Sequence, residues 1–167
     1  MDNGRCSIDR YPPLHGTTLH AITLNAPSTG DWSTVRIVKI IEDMRHGEEV
    51  LTRAHETPTD GDLLAALDRL DGAVFSSTAF VIDDDTVLSI GGGDGAYVVF
   101  ISSGGDTRIH TLIDPAKSED HDQDLVAGGQ SGSYPQFQCV DRSKAASALL
   151  YFHAHGEASP DLNWASE

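Results

Sequence analysis

Cations are scarce in this chain. Lysine and arginine number 11 against 26 aspartates and glutamates, a formal net charge of −15 over 167 residues. A surface of that sign repels nucleic acid and anionic membranes, so neither is expected as a partner. Cysteine is scarcer still: Cys6 and Cys139 show no metal or disulfide-framework spacing and read as free thiols. No apolar run approaches the ~20 residues needed to span a bilayer. The opening MDNGRCSIDRYPPLHG has no cationic patch followed by an apolar stretch, so no secretory leader is expected and the cytoplasm is the expected compartment. What the acidity favours is solubility and fast association with basic partners.

The length fits one domain with a core of its own. Residues 1–30 read as an irregular N-terminal arm, with Pro12 and Pro13, plus a first strand, TTLHAITL (17–24). Residues 31–167 read as the main domain. VRIVKII (35–41) is rich in β-branched residues and GEEVLTRA follows Gly47, which predicts a hairpin. Thr59 with Asp62 three residues on is a capping box, and Leu63, Leu64, Leu67 and Leu70 form an apolar stripe that ends before Gly72. AVFSSTAFVI, TVLSI, AYVVFIS and TRIHTLI, separated by short Asp or Gly turns, predict an antiparallel meander. DPAKSEDHDQDLVAGGQSGS (114–133) reads as a long polar loop, and YPQFQCV as a last strand. Asp141 or Ser143 caps a final helix, SKAASALLYFHAHG, on which Ala145, Leu149 and Phe152 point one way and after which Gly156 stops it. The expected fold class is α+β: an antiparallel sheet of about six strands with two main helices on one face.

Chemistry is hard to place on this pattern. SIGGGDGAYV (89–98) resembles a phosphate cradle only in composition. Ala96 stands where a third glycine would be, the segment after it has strand rather than helix composition, and no Gly-Lys-Ser/Thr occurs. Asp94-Gly95 instead suits a hairpin turn. The triplets His46–Glu48 and His155–Glu157 match half of a zinc-deaminase signature, but no P-C-x-x-C follows either. His153 and His155 are two apart on a helix and diverge. No G-x-S-x-G elbow occurs, and a half-buried strand thiol at Cys139 is expected to be inert. No catalytic residue, metal or cofactor is expected. Asp120, Asp122 and Asp124 match the first spacings of a calcium loop, but Leu125 replaces the glycine and no glutamate closes it. A docking surface for a basic partner is the sharper reading of that acidic segment.

One resemblance runs along the chain. HGEEVLTRAHETPTDGDLLAALDRL, TVLSIGGGDGAYVVFIS and YPQFQCVDRSKAASALLYFHAHGEASPDLNW follow one another in an order and spacing similar to the first-numbered immunity-protein family of bacterial polymorphic toxin systems. The similarity covers about residues 45–164. It implies a small α+β antidote without enzymatic activity, which binds a cognate toxin, often a nucleic-acid deaminase. Such a toxin must grip a polyanion, so a chain at −15 is a suitable complement. The expectation is therefore a cytosolic immunity protein that blocks access to the active site of a basic, cytosine-type deaminase. The expected contacts are Glu119, Asp120, His121, Asp122 and Asp124 at the rim, with Ser131, Ser133 and Tyr134 closer to the centre. Asp83, Asp84 and Asp85 form a second acidic edge, for which a plain turn is the simpler role. Trp164 is expected to pack on the sheet. The rivals are a nucleic-acid mimic or general interaction module, a small hydrolase using His121 or His153, and a calcium-binding module.

Overall fold

A computed structural model of the chain describes residues 36–47 and 49–166. The N-terminal arm and the strand expected at 17–24 lie outside the described residues. Among the described residues nine strands and two α-helices follow in the order β1 (Lys39–His46), β2 (Glu49–Glu56), α1 (Asp60–Arg69), β3 (Phe75–Asp83), β4 (Thr86–Gly93), β5 (Ala96–Ser103), β6 (Arg108–Ile113), β7 (Asp122–Ala127), β8 (Gln130–Pro135), α2 (Arg142–His155) and β9 (Asn163–Ser166). Seven strands form one antiparallel sheet in the order β2-β1-β3-β4-β5-β6-β9, and β7 and β8 pair separately. The fold is α+β, with more strands than the sequence pattern suggested.

Alternation along each strand puts one apolar set on one face. Ile40 pairs with Phe80, Phe80 with Leu88, and Leu88 with Ile101, so four fully buried side chains line up across four strands. Leu63, Ala66 and Leu67 of α1, with Leu70 just past its end, and Ala145, Ala148, Leu149 and Phe152 of α2 cover this inner face. Ala66 is buried where the sequence suggested Leu64, because the core-facing stripe is turned by part of a helical turn. Each large side chain removed from water here contributes about 1.5–3 kcal/mol.

The helix ends are chemically specified. The Asp62 N–H donates to Thr59 Oγ1 at 3.3 Å and the Thr59 N–H donates to Asp62 Oδ2 at 2.8 Å, which is the expected capping box. The Thr59 hydroxyl also holds the Asp62 carboxyl below its ordinary range. Asp141 accepts the Lys144 N–H at 2.9 Å and so starts α2, while Gly156, at φ +74°, ends it. At the other end of the sheet Trp164 pairs with Leu112 and its indole donates to the Ser159 carbonyl at 3.0 Å, so this tryptophan does pack on the sheet. It does so as part of β9, a strand that the sequence pattern did not suggest.

Two expectations for the region after β6 are corrected. The long loop at 114–133 holds all of β7 and part of β8, joined by Gly128 and Gly129 with both φ positive, as a two-residue hairpin turn requires. YPQFQCV is not a strand along its length. Tyr134 and Pro135 end β8, Gln136–Gln138 form one 3-10 turn, and Val140 makes an isolated bridge to Tyr97.

Candidate functional site

The other face of the sheet is where the chain's polar peculiarities converge. The β7–β8 hairpin lies against it, and small residues make the contact possible. A Cβ built on Gly91 would lie 2.6 Å from Ala127 Cβ, so only glycine leaves room at that point of β4. Farther along, Gly93 bridges Asp71, and any side chain on it would collide with the Asp71 and Gly72 backbone. The tip of the β4–β5 hairpin is Asp94-Gly95, with φ of +51° and +87°. SIGGGDGAYV is thus strand, turn and the start of the next strand, and Gly91, Gly92 and Gly93 leave room for Ala127, Ala96 and the Asp71–Gly72 backbone respectively.

A β-bulge helps anchor the hairpin. Asp43 of β1 faces Ser77 of β3, but Met44 faces Phe75, which leaves Ser76 without a cross-strand partner. The buried Ser76 hydroxyl accepts the Gly129 N–H at 2.7 Å instead. At the hairpin's base, the Gln136 N–H donates to the His121 carbonyl at 2.8 Å and the Phe137 N–H to the Ser118 carbonyl at 3.2 Å. Nearby, Lys144 pairs with Asp114 at 2.5 Å and holds that carboxyl below its ordinary range.

Alternation along the hairpin sorts the residues singled out from the sequence. Asp122, Asp124, Ser131 and Ser133 are all exposed and share the outward side, with the Ser133 hydroxyl 3.4 Å from Asp122 Oδ2. Glu119, Asp120 and His121 occupy the adjoining turn. There, the Ser118 hydroxyl lies 2.8 Å from His121 Nδ1 and accepts the Asp120 N–H at 3.1 Å. Tyr134 is on the opposite side, which also carries Ala127, and it faces the sheet. Asp83, Asp84 and Asp85 are not part of this grouping. They make the β3–β4 turn, where Asp83 Oδ1 accepts the Asp85 N–H at 2.9 Å, about 25 Å of strand away from the β4–β5 tip.

Two clefts flank the hairpin. The larger, 520 Å³, is lined mainly by apolar groups, among them Ile41, Ala79, Val98, Phe100 and Tyr134, with Asp43 as the charged residue of the lining. The smaller, 340 Å³, brings together Asp71, Asp94 and Asp124, three carboxylates from three separate segments. Ala73 and Phe75 N–H groups donate to Asp71; burial alone would raise its pKa, and these donors instead keep it low. Asp43, Asp71 and Phe100 were missed as site residues. Period-two reading of IIEDMRH and AYVVFIS does put Ile41, Asp43, Val98 and Phe100 on the face away from Ile40 and Val99, but only the register shows that they adjoin.

The histidines of the hydrolase reading are on separate elements. His121 is in the exposed turn before β7, whereas His153 is buried on α2, its Nδ1 accepting the Ile37 N–H at 3.0 Å. Its Nε2 is 3.3 Å from Asp60 Oδ1, and burial pushes its pKa down. Cys139 is fully buried and burial pushes its thiol pKa up, away from a nucleophilic thiolate. Among the described residues no group of three His, Cys, Asp or Glu side chains is placed to hold a metal ion, and no helix is long and apolar enough to cross a membrane.

The sequence profile described as immunity protein Imm1 matches residues 52–166. That span runs from within β2 to the end of β9 and includes both helices, the hairpin and the smaller cleft. No curated protein matches the chain.

Proposed function

The chain belongs to the Imm1 immunity-protein family, and from that premise we propose that it neutralises its toxin by occlusion, binding in the cytoplasm to the substrate-gripping surface of a nucleic-acid deaminase. An immunity protein acts against a cognate toxin, and what supports occlusion of a nucleic-acid-gripping surface is the exposed acidic side of the β7–β8 hairpin, with Asp122 and Asp124 on it and Glu119 and Asp120 in the turn beside it. A protein that binds nucleic acid gathers lysine and arginine around its substrate path. A chain at −15 that displays carboxylates on a raised hairpin fits such a surface and competes with the polyanion for it.

Asp71, Asp94 and Asp124 extend the same field around the hairpin. Charge complementarity of this kind speeds encounter and sets register, while affinity comes from a few well-packed central groups. Tyr134, half-buried at the foot of the hairpin, is a candidate for that central role.

Co-expression with its cognate toxin tests the proposal. Cells carrying both genes are expected to survive, and their DNA and RNA to lack the base changes that the toxin alone produces. Death of the doubly expressing cells would refute the immunity role. Survival with a toxin that cleaves or modifies something other than a nucleobase would refute the deaminase assignment alone.

A further inference from the structure

We propose that the larger cleft, between the sheet's outer face and the β7–β8 hairpin, receives an arginine side chain of the toxin, with Asp43 as the ion-pair partner. The inference rests on the immunity reading and adds to it a specific anchor point away from the carboxylates of the hairpin. The cleft floor is low because Ala79, Ser89 and Gly91 are small, and Phe100 and Tyr134 stand beside it as aromatic walls. Phe100 is 38% exposed, one of six large apolar side chains so exposed among the described residues.

Asp43 determines what fits. One carboxylate oxygen accepts from Thr52 Oγ1 at 3.1 Å and the other from Ser77 Oγ at 3.2 Å. A carboxylate offers about four acceptor sites, so roughly two remain open. Among the described residues no lysine, arginine or histidine lies within 4.0 Å of it, whereas its neighbour Glu42 is held by two arginines. The bulge immediately after Asp43 breaks the β1–β3 register at this point, a common device for aiming a side chain. An apolar group entering the cleft would strip water from Asp43 and leave it unpaired, which is costly. An arginine avoids that penalty. Its stem packs on Ile41, Val98 and Ala79, its planar head accepts an aromatic face, and its paired N–H groups reach a carboxylate. Lysine would satisfy the charge, but offers neither the stacking plane nor the fork.

The test measures the affinity of the purified toxin domain for wild type, Asp43→Asn, Ala79→Arg and, as a control in the β5–β6 turn, Asp106→Asn. Ala79 pairs with Ile41, one step along the same face from Asp43, so an arginine there fills the cleft from within. Both cleft variants are expected to bind roughly tenfold or more weakly, as for loss of one partner of a buried charge pair, and Asp106→Asn to bind as wild type. Asp43→Asn is also expected to lower the salt dependence of binding. Wild-type affinity in both cleft variants would overturn the inference and leave the immunity role standing. Failure of wild type itself to bind would remove both.

Discussion

The Cβ of Ala127 occupies the space that a side chain on Gly91 would need, 2.6 Å from where its Cβ would be. The contact joins the glycine-rich strand to the acidic hairpin, the two segments of greatest interest in the sequence. It also means that the position of the proposed docking surface depends on a residue with no side chain.

Replacing Gly91 by alanine is expected to push the hairpin off the sheet, at a cost of about 1–3 kcal/mol as for other overpacked sites. Urea unfolding followed by tryptophan fluorescence measures it. Adding Ala127→Gly to that variant should recover part of the loss, because it removes the 2.6 Å clash and leaves the milder approach of Val98 Cγ2 at 3.3 Å. A double variant no more stable than Gly91→Ala would show that the hairpin is held elsewhere.

Legibility of the fold followed the strength of local signals. The β3–β6 meander and both helices were readable because valine, isoleucine, leucine and cap residues recur at fixed periods. β7 and β8 were not, since DQDLVA and QSGSYP have few β-branched or aromatic residues, and the hairpin is held by Gly129, Ser76 and the Gly91–Ala127 contact, all distant in sequence. The same limit applied to the site. Asp122, Asp124, Ser131 and Ser133 were singled out as residues of a loop, and strand pairing is what groups them on one side. Asp43 and Phe100 belong to different strands with two others between them, and nothing local links them.

Glu42 is 1% exposed and meets Arg53 and Arg69, each at 2.7 Å, on separate oxygens. It ties the edge strand β2 and the helix α1 to β1. Glu42→Gln is expected to cost about 2–3 kcal/mol, somewhat less than a fully buried pair would lose, because both guanidiniums reach water. Calorimetric unfolding checks this, and a loss below ~0.5 kcal/mol would show that the triad does not hold these elements together.

His153 predicts a pH dependence near neutrality. Burial lowers its folded-state pKa from 6.5, so the unfolded chain binds the proton more readily than the folded one. The neutral ring's contribution is fully present above pH 6.5 and is lost as pH falls from there through the lower folded value. Protonation also removes the Nδ1 acceptor of the Ile37 N–H. Thermal unfolding of wild type and His153→Gln at pH 8 and pH 5 is the measurement. The wild type should lose more on acidification than the variant, and parallel losses would contradict the assignment.

The acidic hairpin should carry the electrostatics of toxin binding. Lysine at Asp120, Asp122 and Asp124 reverses the charge of the exposed side and its turn without touching the core, since all three are exposed. Unfolding free energies are expected to stay within about 0.5 kcal/mol of wild type, as for surface changes generally, so any change in binding can be read as loss of contact.

The most direct test of an occluding antidote is isothermal titration of the purified toxin domain with wild type and this triple lysine variant, at low and high salt. Wild type should bind tightly, weaken as salt rises, and be displaced by the toxin's nucleic-acid substrate, while the triple variant binds far more weakly and with little salt dependence. Equal affinities for the two proteins, unchanged by salt and by substrate, would contradict it.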